Sequence, residues 1–294
     1  MADRSSSGVT PTHFKQFAAI DWSGAKGARH PGIALALCSA GDAAPVLIEP
    51  PRGVWSRADI LHWLRDRASE PLLVGFDFSF AAPFLERGAY LPGETVAADP
   101  RALWAYVDHH SADMDLGAAS FLEARRGRHF YLGAADGVKA DFMHYRRCEA
   151  HYNANGGGKP STVYDAIGAA QVAKASFAGM RLLHHLAHAI PVWPIDPAPT
   201  HGACVVEIYT TIAARAAGMR KGLSKLRDGA ALDTALATMG SAPHAPLARY
   251  TDHATDAILT AAWLRRNAAR ADLWHPAALT VQIARTEGWT FGVT

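Results

Sequence analysis

The sequence predicts an α/β protein built on a mixed β-sheet flanked by helices, and three observations carry that expectation. Three short apolar runs stand close together near the N-terminus, at 17–21, 31–38 and 44–50. Two later runs, 71–80 and 203–210, are apolar almost throughout, as in strands covered on both faces. Segments of helical period separate these later runs. Short links favour an antiparallel meander for the first three strands, and helical crossovers favour parallel pairing for the others.

The elements follow in order. "FAAID" (17–21) is a strand that ends on Asp21 and breaks into the turn "WSGAKG". "PGIALALC" (31–38) and "APVLIEP" (44–50) are the next two strands. "SRADILHWLRDRA" (56–68) is an amphipathic helix with Ser56 as N-cap and Asp59 three residues on, close to a capping box. "PLLVGFDFSF" (71–80) is a central strand carrying Asp77. From 85 to 162 the pattern weakens, and this stretch is expected to be a large, mostly helical insertion. "VYDAIGAAQVAKASFAGMRLLHHLAHA" (163–189) reads as one long helix, "ACVVEIYT" (203–210) as a strand carrying Glu207, and "TDHATDAILTAAWLRRNAA" (251–269) as the last strong helix.

The totals narrow the classes. With 49% hydrophobic and 19% charged residues the chain can bury a sizeable core. No stretch approaches about 18 uncharged apolar residues, so no membrane span is expected. Residues 1–16 are polar, lack the apolar core of a secretory signal, and are expected to be a flexible tail before a single domain at 17–294. Cys38, Cys148 and Cys204 are far apart, which speaks against a zinc ribbon or a disulfide framework and for a cytoplasmic setting. The net charge of +2 means that a nucleic-acid partner would be held by local patches.

Five carboxylates fall where acids are costly. Asp21 ends the first strand, Asp77 and Glu207 lie in later strands, and Asp252 and Asp256 sit four apart on one helical face. Each has a structural alternative, as turn former, strand end or helix cap. Gathered without a cation they would repel one another, and burial would raise their pKa values. Mg²⁺ or Mn²⁺, which take oxygen ligands, would resolve that conflict.

The order of elements resembles the ribonuclease-H-like superfamily. The motifs "AIDWSGA", "VGFDFSFAAPF", "VVEIYT", "DHATDAILTAAWL" and "EGWTFG" resemble one branch of it, domain of unknown function 429, regarded as predicted nucleases. The resemblance covers 17–80 and 163–292. It implies catalytic acids at Asp21, Asp77 and Asp256, with Asp252 beside the last and Glu207 on the strand "E-x-Y". All five would be metal ligands or supports of the ligands.

"EARRGRHFYLG" (123–133) and "HYRRCEAHYN" (144–153) mix cations with rings, a mixture suited to nucleic-acid strands. Arg125, Arg126, Arg128, Arg146 and Arg147 are the candidate phosphate contacts. Lys26, in a turn that could cradle a phosphate on backbone N–H groups, is a sixth. The expected function is therefore metal-dependent hydrolysis of nucleic-acid phosphodiester bonds. An actin-like ATPase or sugar kinase is the main alternative, and a non-catalytic nucleic-acid-binding or scaffold protein the other.

Overall fold

The computed structural model describes residues 10–158, 160–167, 172–220 and 225–294. One mixed sheet organises them. Its strands are β1 (Gln16–Asp21), β2 (Ala34–Ser39), β3 (Val46–Leu47), β4 (Leu72–Phe76), β5 (Val192–Trp193) and β6 (Cys204–Glu207), in the order β3-β2-β1-β4-β6-β5. β1, β2 and β3 pair antiparallel, whereas β1–β4, β4–β6 and β5–β6 pair parallel. The meander and the parallel half thus form as their linker lengths dictate. The two-residue β5 was not expected; it is too short to leave a periodic signal.

Helices cover both faces. In chain order they are α1 (Arg57–Arg65), α2 (Pro100–His109), α3 (Ala119–Glu123), α4 (Arg147–Ala154), α5 (Val172–Leu186), α6 (Thr210–Ala216), α7 (Gly229–Thr238), α8 (Asp252–Asn267), α9 (Ala271–Trp274) and α10 (Val281–Thr286). Alternate residues of each strand feed opposite cores. Ala18, Ile20, Val74, Phe76 and Val205 pack on the side of α1, α2 and α5. Phe17, Ala19, Leu73, Cys204 and Val206 pack on the side of α6, α7 and α8. Gly75 faces α8, and a Cβ there would lie 2.9 Å from Leu264 Cδ1 and 2.7 Å from Ile208 Cγ2. Only glycine lets α8 come this close to β4. Among the described residues no helix is long and apolar enough to cross a membrane.

Three expectations change. Residues 1–9 of the expected tail lie outside the described residues, but the chain is anchored before β1. Phe14 is buried, and the amides of Lys15 and Gln16 donate to the Pro71 carbonyl at 2.7 and 3.1 Å. The long helix expected at 163–189 does not begin at 163. Tyr164 is fully buried there and its hydroxyl donates to the Tyr90 carbonyl at 2.5 Å, holding 163–167 in turns; residues 168–171 lie outside the described residues, and α5 runs from Val172. The segment 85–162 is only partly helical, in α2, α3, α4 and short 3-10 turns. Buried polar hubs order the rest. Glu94 accepts from the Tyr106 hydroxyl at 2.5 Å and from Arg125 Nε at 2.8 Å.

Candidate active site

Register decides which acids meet. Ile20 lies level with Phe76, so Asp21 and Asp77 are neighbours at the same ends of two parallel strands. The Asp77 amide donates to the Ile20 carbonyl at 3.1 Å, one step past the end of β4. Both acids fall on the sheet face that α8 covers, and α8 brings Asp256 on its second turn. Asp21, Asp77 and Asp256 line one cavity of about 360 Å³.

The electrostatics of this trio are unbalanced. Asp77 is raised well above the usual carboxylate range, first by withdrawal from water and then by the charges of Asp21 and Asp256. Its one described side-chain hydrogen bond comes from Thr210 Oγ1 at 3.2 Å. Asp256 is pushed up to about 7 by burial and by the charges of Asp21 and Asp252. Burial also raises Asp21, against the opposing effect of His253. His253 Nδ1 stands 3.3 Å from Asp21 Oδ1, and that contact raises the imidazole pKa. His253 and Thr210 were not singled out from the sequence. Both are adjacent to named motif residues, in "TDHATD" and "EIYT", but nothing local reveals their partners.

Asp252 and Glu207 line the same cavity under different terms. The N-cap of α8 is Thr251, not Asp252. Asp252 pairs with Lys225 and lies 3.3 Å from Arg227 Nη1; the Lys225 contact leads the causes that lower its pKa. Glu207 lies level with Phe76, one residue out of phase with Asp77, so it belongs to the opposite sheet face. Its two oxygens accept from Arg146 Nη1 and Nη2 at 2.7 and 2.5 Å, from the Phe80 amide at 2.8 Å and from Thr290 Oγ1 at 2.5 Å.

The candidate phosphate contacts divide three ways. Arg146 is 1% exposed and committed to Glu207 and Glu149, so it is a core residue, not a surface cation. Arg125 is likewise buried, on Glu94. Arg126 and Arg128 are exposed but paired, with Asp136 and Glu94 respectively. Arg147 and Lys26 are exposed. Lys26 opens onto a separate cavity between the turn after β1 and residues 113–123. That turn is held by its carbonyls: the fully buried Arg57 donates to Ser23 O at 2.8 and 3.0 Å and to Ala25 O at 2.7 Å. Its role as a phosphate cradle for the acids therefore has no geometric support.

The thiols are not activated as nucleophiles. All three cysteines are free and buried, and burial pushes the Cys38 thiol up to about 11 and the Cys148 thiol up to about 12. For a cation, the donor set is suitable but not yet gathered. Among the described residues no three His, Cys, Asp or Glu side chains stand close enough together to enclose an ion. Three under-compensated carboxylates facing one cavity nevertheless have the hard oxygen donors and the surplus negative charge that a divalent cation matches. No family model, curated protein or solved structure matches this chain.

Proposed function

We propose that this chain is a ribonuclease-H-like nuclease of the kind resembled by domain of unknown function 429, hydrolysing phosphodiester bonds with Mg²⁺ or Mn²⁺. One observation carries the reading: Asp21, Asp77 and Asp256 come from β1, the end of β4 and α8 and share one cavity, where the charge of Asp21 helps to raise the proton affinity of the other two. The strand order and the antiparallel-then-parallel pairing support the same family.

Asp21, Asp77 and Asp256 would hold the metal, and small shifts of their side chains would bring them together around it. Bound there, the metal would supply positive charge to the attacking and leaving oxygens of the phosphodiester. Asp21 lies centrally, beside Asp77 across the strands and in contact with His253. Thr210 orients Asp77. Lys225 and Arg227 keep Asp252 ionised at the cavity rim, where it adds negative field without joining the trio. Glu207 and Arg146 hold the floor of the cavity and tie the segment before α4 to β6.

The test is cleavage of labelled single-stranded and duplex DNA and RNA, with Mg²⁺, with Mn²⁺ and with EDTA. Wild type should cut only with metal. Asp21→Asn, Asp77→Asn and Asp256→Asn should each lose roughly 100-fold or more of that activity. Metal-independent cleavage, or full activity in Asp77→Asn, would overturn the reading.

A further inference from the structure

The acid cavity has an apolar half that phosphodiester chemistry alone does not call for. Besides the carboxylates it is lined by Trp22, Phe78, Tyr152 and Tyr209. Tyr152 comes from α4 and Tyr209 from the residue before α6, and their rings meet edge to face with centroids 5.8 Å apart. Both are only partly buried. Arg215 stands over Tyr152, 5.9 Å from the ring centroid, with Nη1 3.4 Å from its hydroxyl. Gly157 packs directly on the Tyr152 ring, where a Cβ would lie 2.4 Å from ring carbons, so the ring is held in place. Of the aromatics in the two Arg-rich stretches, Phe130 and Tyr131 are buried in the core. Tyr152 is the one that reaches the acids' cavity.

We infer that this cavity receives one unpaired nucleotide of a single strand, with its phosphate toward the acids and its base against Tyr209 and Tyr152. The inference rests on the nuclease reading for its phosphate half and on the tyrosine wall for its base half. A volume of about 360 Å³ is that of a site for one small-molecule-sized unit. In a duplex the base faces are stacked and out of reach, so a paired strand would have to extrude a nucleotide to fill the recess. Ring stacking accepts any base, so the site selects unpaired structure more than sequence. Lys225 lines the same cavity but is paired with Asp252, so it offsets the charge of that acid at the edge of the site. The substrate class is therefore single-stranded nucleic acid, or the frayed end of a duplex, DNA or RNA.

The test is fluorescence anisotropy with a labelled single-stranded 12-mer and the matching blunt duplex, each as DNA and as RNA. Asp256→Asn with Mg²⁺ is the binding protein, so that affinity is read without cleavage. The single strand should bind at least about 10-fold tighter than the duplex. Adding Tyr209→Ala should weaken single-strand binding roughly 5–10-fold and leave duplex binding unchanged, while Tyr209→Phe keeps the affinity. Tyr152→Ala serves as the second variant, with circular dichroism confirming that each is folded. Equal affinity for duplex and single strand, no detectable binding of either, or no effect of either tyrosine, would overturn the inference. The two readings fail separately. Selective binding by a wild type that cuts nothing sinks the nuclease and leaves this site, whereas duplex cleaved as fast as single strands sinks this site and leaves the nuclease.

Discussion

Glu207 and the Asp21–Asp77–Asp256 trio are carboxylates at the same end of one sheet, and they differ in how their charge is answered. Glu207 is 3% exposed and accepts four hydrogen bonds, two of them from the forked guanidinium of Arg146. The trio face one another with His253 and Thr210 as modest company, and Asp77 and Asp256 respond by holding protons more tightly. A buried acid with its counter-charge built in stabilises a fold; buried acids without one store repulsion that a ligand can relieve. The residue type is nearly the same, so the difference lies entirely in what folding brings opposite.

The largest break in this comparison should come from the compensated side. Arg146→Ala leaves Glu207 and Glu149 facing each other without a cation, and should cost about 3–5 kcal/mol. For a chain of this size the melting temperature should fall by roughly 6–20 °C in a thermal scan. Arg146→Lys should recover only part of it, because an ammonium cannot bridge both Glu207 oxygens as the fork does.

The next effect belongs to the trio. Mn²⁺ at about 100 times its dissociation constant should stabilise the wild type by about 2.7 kcal/mol, a rise of roughly 5–10 °C. Asp256→Asn should rise less. No shift of the wild type with metal would place the trio beside Glu207 as ordinary structural acids.

Without metal the pH dependence should have a definite sign. Asp256 binds its proton more tightly folded, with a pKa pushed up to about 7, than unfolded, where an aspartate has its ordinary 3.8. The folded state therefore holds more protons in that interval, and stability is present below the unfolded value and lost as pH rises toward 7. The loss should be on the order of 1–2 kcal/mol, since the cavity admits solvent that screens the charges. Urea titrations of metal-free protein from pH 4 to 7 read it directly. Asp256→Asn should show a flatter profile and equal or greater stability at pH 7.

The smallest effect should come from the surface. Arg126 is exposed in its pairs with Asp136 and Glu123, so Arg126→Ala should leave the melting temperature nearly unchanged in the same thermal scan. A clear fall would show that this segment is held as Arg146 holds the core.

Much of this molecule was legible in its residues. The strands around Asp21, Asp77 and Glu207, the capping box of Ser56 and Asp59, and the last helix all follow from apolar period and local hydrogen bonding, which act over a few neighbours. The antiparallel and parallel halves of the sheet follow from linker length. The placement of acids on core elements was also visible, because a charge amid the small and apolar neighbours of "VVEIYT" or "ATDAILTAA" is conspicuous whether the stretch is strand or helix.

What tertiary structure alone decided is which of these residues meet. Arg146 is 61 positions from Glu207 and sits in a stretch whose composition suggested a phosphate-binding surface; only the folded chain turns it inward. Asp77 and Glu207 fall on opposite faces because their strands align one residue out of phase, and register depends on partner strands, not on either strand's own sequence. His253 reaches Asp21 and Tyr152 reaches Tyr209 through the docking of α8 and α4, which neither helix's own sequence states. Period and capping are local and so are written along the chain. Charge compensation is set by distance in space, and distance is supplied by the packing of α8 across one face of the sheet and by the placement of the segment before α4 beside β6.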